Sequence, residues 1–110
     1  MHSSASSMEY LVGRYPEVGV AFRDGVRTAV DGAGPLSAVE RELVMLGAYT
    51  AARQPRAFKL HCGRALAAGA EPERVRQAVL LTLGASATLE MVVDALRWTD
   101  EVLAGEGRDD

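Results

Sequence analysis

The sequence contains a single cysteine, so no internal disulfide can staple the chain and a disulfide-built secreted scaffold is excluded. It has no basic surplus either. Twelve Lys and Arg stand among fifteen Asp and Glu, for a net charge of −3, and no cationic stripe is present to follow a phosphate backbone, so nucleic acid is not an expected partner. Long apolar runs are also absent. AVLL at 78–81 is typical of the longest, far short of the roughly 18 residues that a membrane-crossing helix requires. The N-terminal MHSSASSMEY lacks the basic stretch and apolar core of a signal peptide, and the expected location is cytoplasmic.

What remains is the composition of an ordinary globular domain, 48% hydrophobic and 25% charged over 110 residues. No segment alternates apolar and polar residues over a useful length, whereas apolar residues recur at three and four, so the expected fold class is all-α, a single-domain bundle of five to six helices. MHSSASS (1–7) reads as a loose leader and residues 105–110 as a flexible acidic tail, with one helical domain over 8–104.

Local signals set the helix boundaries. A short helix is expected over Ser7 to Val12. Pro16 suits a first helical position and opens a second helix through Val18, Phe22, Val26 and Ala29, closed by DGAGP at 31–35. Ser37 and Glu40 form a capping-box pattern that starts a helix running to about Gln54. Pro55 starts the next, which Gly69 stops. Glu71 and Pro72 begin a fifth, apolar on nearly all sides, expected to be buried and to loosen around Gly84. TLEMVVDALRWTDEVLAG closes the set with two apolar stripes, one of Leu89, Val92, Leu96 and Leu103, the other of Met91, Ala95, Trp98 and Val102. One stripe can face the core. The second needs cover, and a further copy of the chain is the expected cover, making a homo-oligomer such as a dimer, trimer or hexamer.

The residues with reactive chemistry cluster in RAFKLHCGRALAAG, 56–69. At about 100° per residue, His61 shares a face with Ala57, Phe58, Ala65 and Ala68. It is either a core histidine satisfied by one hydrogen bond or an acid–base group facing a cleft. On the preceding helix Glu42 shares a face with Met45, Leu46 and Tyr49. It is either a solvated acid near a helix start or a buried group in need of a partner. Cys62 is rotated by about 100° from His61 and cannot share its target; a small buried thiol is the common role for a lone cysteine, a redox thiol the alternative. The other histidine is His2, and no HxxxH, HxxE or CxxC spacing lies near His61, so no metal site is expected. The glycines at 32–34 follow no strand, and no phosphate loop is expected.

Taken in order, GPLSAVERELVMLGAY, AFKLHCGRALAAGAEPERVRQAVLL, a glycine and a final amphipathic helix resemble the carboxymuconolactone decarboxylase family, which includes the alkylhydroperoxidase D-like proteins. The likeness covers about residues 15 to 103. The peroxidase branch carries a glutamate, eleven residues, then CxxCxxxH and xxxAxxxG. Glu42, His61, Ala65 and Gly69 stand at matching positions, but Gln54 and Ala57 occupy the two cysteine positions, which rules out dithiol peroxidase chemistry through that motif. The branch without CxxC keeps the histidine.

The resemblance therefore implies cofactor-free decarboxylation of a small carboxylated lactone or related acid. His61 would be the general acid/base and Glu42 would orient it, while Tyr49 or Arg53, on the same arc of the Glu42 helix, would bind substrate oxygen. Two alternatives stay open: a redox protein relying on Cys62 alone, and a non-catalytic small-ligand-binding oligomer.

Overall fold

The computed structural model describes residues 5–105; the remainder of the expected leader and tail, 1–4 and 106–110, lies outside the described residues. All regular structure among them is helical: α1 (Ala5–Arg14), α2 (Pro16–Val20), a π-helical segment (Ala21–Val26), α3 (Arg27–Asp31), α4 (Ala38–Ala52), α5 (Pro55–Ala67), α6 (Pro72–Leu80) and α7 (Leu89–Leu103). The backbone stays helical through Val20, Val26 and Arg27, so α2, the π segment and α3 form one rod. None of the helices among the described residues is long and apolar enough to cross a membrane. The chain divides into two compact units, Met1–Pro35 and Leu36–Asp110, a boundary inside the 8–104 span that the sequence treats as one domain.

In the first unit, α1 extends past the expected 7–12 at both ends. The backbone of Gly19 lies against Val12, where a Cβ would fall 2.8 Å from the Val12 Cα, so this close approach of α2 to α1 admits only glycine. The π segment is a departure from the plain α-helix that the periodicity suggests. AFRDGV has no pattern that marks a wider turn, although Gly25 within it weakens the α-helical preference. Val18, Phe22, Val26 and Val30 recur at four-residue spacing along this rod and are 43–59% exposed.

The second unit is assembled from strong local signals. Ser37 Oγ accepts from the Glu40 backbone N–H at 3.1 Å while the Glu40 carboxylate accepts from the Ser37 N–H at 2.9 Å, completing the capping box that opens α4. A two-residue link, Arg53 and Gln54, folds α5 back along α4. α5 ends in a Schellman pair, with the Gly69 N–H on the Leu66 carbonyl and the Ala70 N–H on the Ala65 carbonyl, and Gly69 at φ 110 supplies the left-handed turn.

The core of this unit draws on all four helices: Leu46, Phe58, Cys62, Ala65, Val75, Val79, Val92, Ala95 and Val102 are at most 1% exposed. Each of the larger side chains contributes about 1.5–3 kcal/mol by burial. Trp98 packs against Phe58 with ring centroids 5.5 Å apart. Two buried hydroxyls, Thr50 and Thr99, donate to the Leu46 and Ala95 carbonyls of their own helices, so neither leaves an unsatisfied polar group in the core.

Two expectations are corrected. α6 is not buried all round and ends at Leu80, four residues before Gly84. Only Val75 and Val79 enter the core, while Leu80, Leu81 and Leu83 are 49%, 70% and 47% exposed. The chain turns away because Thr82 caps the end, its hydroxyl donating to the Val79 carbonyl at 2.7 Å and its own carbonyl accepting from the N–H groups of Ala85, Ser86 and Ala87. In α7 the two stripes merge: Val92, Ala95, Thr99 and Val102 face the core, whereas Leu89 is 65% exposed. A helix packed on a rounded core buries an arc wider than one stripe, and that arc is centred between the two.

Candidate functional site

α4 and α5 pack as a hairpin, and each contributes two distinct flanks to it. The core-facing arc of α5 is Phe58, Cys62 and Ala65, all fully buried. His61 lies at the edge of that arc, not on a wholly apolar face as its spacing suggests, and Ala68 is exposed. The residue in the centre of the face is Cys62. The cause is rotational: placing Phe58 against Trp98 and α7 aims position 62 inward and leaves position 61 about 100° away.

At that edge His61 meets α4. Its Nδ1 lies 2.7 Å from Oε1 of Glu42, with the two side chains 12% and 19% exposed. A carboxylate oxygen only accepts, so this contact fixes the tautomer with the proton on Nδ1 and leaves Nε2 as the nitrogen available to a ligand. Tyr49, two turns beyond Glu42 on the same side of α4, lays its ring beside the imidazole at 5.2 Å between centroids and 32° between planes. The imidazole is thus held on two sides, by a charge-assisted hydrogen bond and by an aromatic wall.

The structure therefore brings together Glu42, Tyr49 and His61. It does not bring in Arg53. Arg53 terminates α4 in the left-handed region, φ 57 and ψ 53, and its side chain is exposed. A continued helix would have placed it on the Glu42 arc; the reversal of the backbone takes it off that register. Cys62 is fully buried behind His61 in the core, so the two neighbours in sequence look in different directions.

The opposite flank of α4 borders an open cleft of about 370 Å³ lined by Leu43, Val44 and Gly47 from α4 and by Arg74, Gln77, Ala78 and Leu81. A Cβ at Gly47 would touch Thr82 Cγ2 at 3.4 Å, about van der Waals contact. The cleft lies away from His61, and nothing in the periodicity of the sequence distinguishes it from ordinary packing. Among the described residues no three His, Cys, Asp or Glu side chains gather in a way that could hold a metal ion.

The residue types are those of proton transfer: an imidazole whose Nδ1 is engaged by a carboxylate, at the edge of the core where its side chain keeps 12% exposure. In a comparison with family-wide sequence models, that of the carboxymuconolactone decarboxylase family matches residues 16–101. No curated protein and no solved structure matches the chain.

Proposed function

The chain belongs to the carboxymuconolactone decarboxylase family, and from that premise we propose that it is a cofactor-free acid–base catalyst that decarboxylates a small carboxylated lactone or related acid, with His61 as the proton-transfer group. The observation that carries this reading is the 2.7 Å contact of His61 Nδ1 with Glu42 at a partly open edge of the hairpin.

The chemistry needs little from the protein. When the carbon–carboxylate bond of an unsaturated lactone breaks, the electron pair passes into the ring and out to the lactone carbonyl, giving a dienolate and carbon dioxide. A proton must then reach carbon. The imidazolium form of His61 carries protons on both nitrogens; the one on Nε2 goes to carbon, and the neutral ring that remains still donates from Nδ1 to Glu42. Solvent restores the Nε2 proton. Glu42 holds the orientation of the ring throughout. The phenol of Tyr49 serves the lactone carbonyl oxygen, where negative charge develops.

A redox role for Cys62 is poorly supported, because a thiol at 0% exposure offers peroxide no path. Self-association belongs to the same reading: Val44 and Leu81, 63% and 70% exposed, share the cleft on the far flank of α4, and a second copy of the chain is the cover we propose for them.

The test is release of carbon dioxide from 4-carboxymuconolactone by the wild type, His61→Ala and Cys62→Ala. Alanine is chosen for Cys62 because a serine hydroxyl at a fully buried position would need a partner. Turnover that persists in Cys62→Ala and vanishes in His61→Ala is the expected result. Turnover lost only in Cys62→Ala overturns the acid–base reading.

A further inference from the structure

We infer that Arg64, three residues beyond His61 on α5, is the anion anchor of this site, holding a carboxylate of the substrate that survives the reaction. The inference rests on the acid–base reading of His61.

The first support is a census of cations within residues 36–105. Arg41 donates to the Leu36 carbonyl, Lys59 pairs with Glu101, and Arg76 binds both Glu73 and Asp100. Arg74 lines the cleft on the other flank of α4, and Arg97, exposed and likewise without an ion pair among the described residues, stands on α7 and not beside His61 on α5. Arg56, in the first turn of α5, lies about 140° round the helix from His61, and Arg53 is turned off the helical register. Arg64 makes no ion pair among the described residues and is exposed. Its guanidinium is therefore not committed to a protein carboxylate.

The second support is position. An i,i+3 pair on a helix has Cβ atoms about 5–6 Å apart, so Arg64 stands on the His61 side of α5. Ala57, one turn before His61, and Ala68, one turn after Arg64, lie on the same side and are small. A planar guanidinium on a long stem suits bidentate capture of a carboxylate over such a distance.

The third support is chemical. In decarboxylation, negative charge leaves the departing carboxylate and moves into the ring. A cation on that carboxylate would hold the ground state more tightly than the transition state and slow the reaction. A cation on a second carboxylate, whose charge does not change, orients the substrate without that penalty. Arg64 is therefore matched to the carboxylate that the reaction leaves in place, with the departing group turned from the guanidinium and the protonated carbon turned to His61 Nε2.

The experiment titrates the ¹⁵N-labelled chain with glutarate and with its monomethyl ester, following the His61 imidazole signals by NMR, alongside carbon dioxide release from 4-carboxymuconolactone. Glutarate is expected to shift the His61 signals, and Arg64→Ala to weaken that binding about ten- to a hundredfold. Arg64→Lys should recover part of it, the monomethyl ester, which keeps the one carboxylate that the anchor holds, should bind the wild type nearly as glutarate does and lose that affinity in Arg64→Ala, and Arg74→Ala should bind as the wild type does. Equal glutarate affinity in Arg64→Ala and wild type, or no response of His61 in the wild type, overturns the anchor. The two readings fail separately: turnover with an unchanged KM in Arg64→Ala removes the anchor and leaves the acid–base site, whereas Arg64-dependent glutarate binding without any carbon dioxide release removes the decarboxylase and leaves the anchor.

Discussion

Glu42 is the residue whose two possible roles separate most cleanly. As a structural partner it satisfies an imidazole N–H at a partly buried edge; as a catalytic partner it supplies a charged acceptor that orients the ring for proton transfer. Glu42→Gln keeps the size and an accepting oxygen but removes the charge. We expect it to lower the rate of carbon dioxide release about ten- to a hundredfold while the denaturation midpoint stays nearly where it was. Glu42→Ala, which strips the Nδ1 proton of its acceptor, should in addition cost about 1–3 kcal/mol in urea denaturation. Full turnover in Glu42→Gln would reduce the pair to a packing contact. Tyr49 adds to this hold, its ring beside the imidazole while Glu42 takes Nδ1.

At the level of elements, α4 carries the site only if it starts in register. The Ser37–Glu40 capping box fixes that start and orders the turn that holds Glu42 two residues later. Ser37 is exposed, so its replacement removes the cap without opening a cavity. Ser37→Ala is expected to cost about 1 kcal/mol in the urea unfolding of the chain, with an unchanged slope of the transition. A loss under a few tenths would mean that tertiary packing alone sets the register of α4. The boundaries of α4 and α5 were legible in the sequence because caps and Gly69 act over four residues. The end of α6 was not, because AVLLTLG reads as a continuous apolar helix and only the carbonyl of Thr82, collecting three N–H groups, reveals the turn.

The whole molecule leaves large apolar side chains on the surface of its second unit: Val44, Leu80, Leu81, Leu83 and Leu89 are all at least 47% exposed. Two of them share one cleft. Water contact on that scale is what association removes. Sedimentation of the wild type should therefore report more than one copy per particle, and Leu81→Glu, which places a charge in the cleft, should shift the particle toward the monomer with little loss of helix content. A wild type that sediments as a monomer at tens of micromolar would refute the expectation. Ion pairs such as Arg76 with Asp100 are surface contacts and contribute little to this balance.

The sequence by itself determined the helical class, the family and the identity of the paired residues, because helical periodicity, caps and motif spacing are short-range properties that a chain carries whether or not it is folded. It placed Glu42 and His61 on adjacent helices. Their approach to 2.7 Å, the removal of Arg53 by one left-handed residue, and the rotation of α5 that sends Cys62 into the core and leaves His61 at its edge were decided only in the tertiary structure. Rotation about a helix axis is set by what the opposite face packs against, here Phe58 on Trp98, and no local pattern encodes the partner of a face.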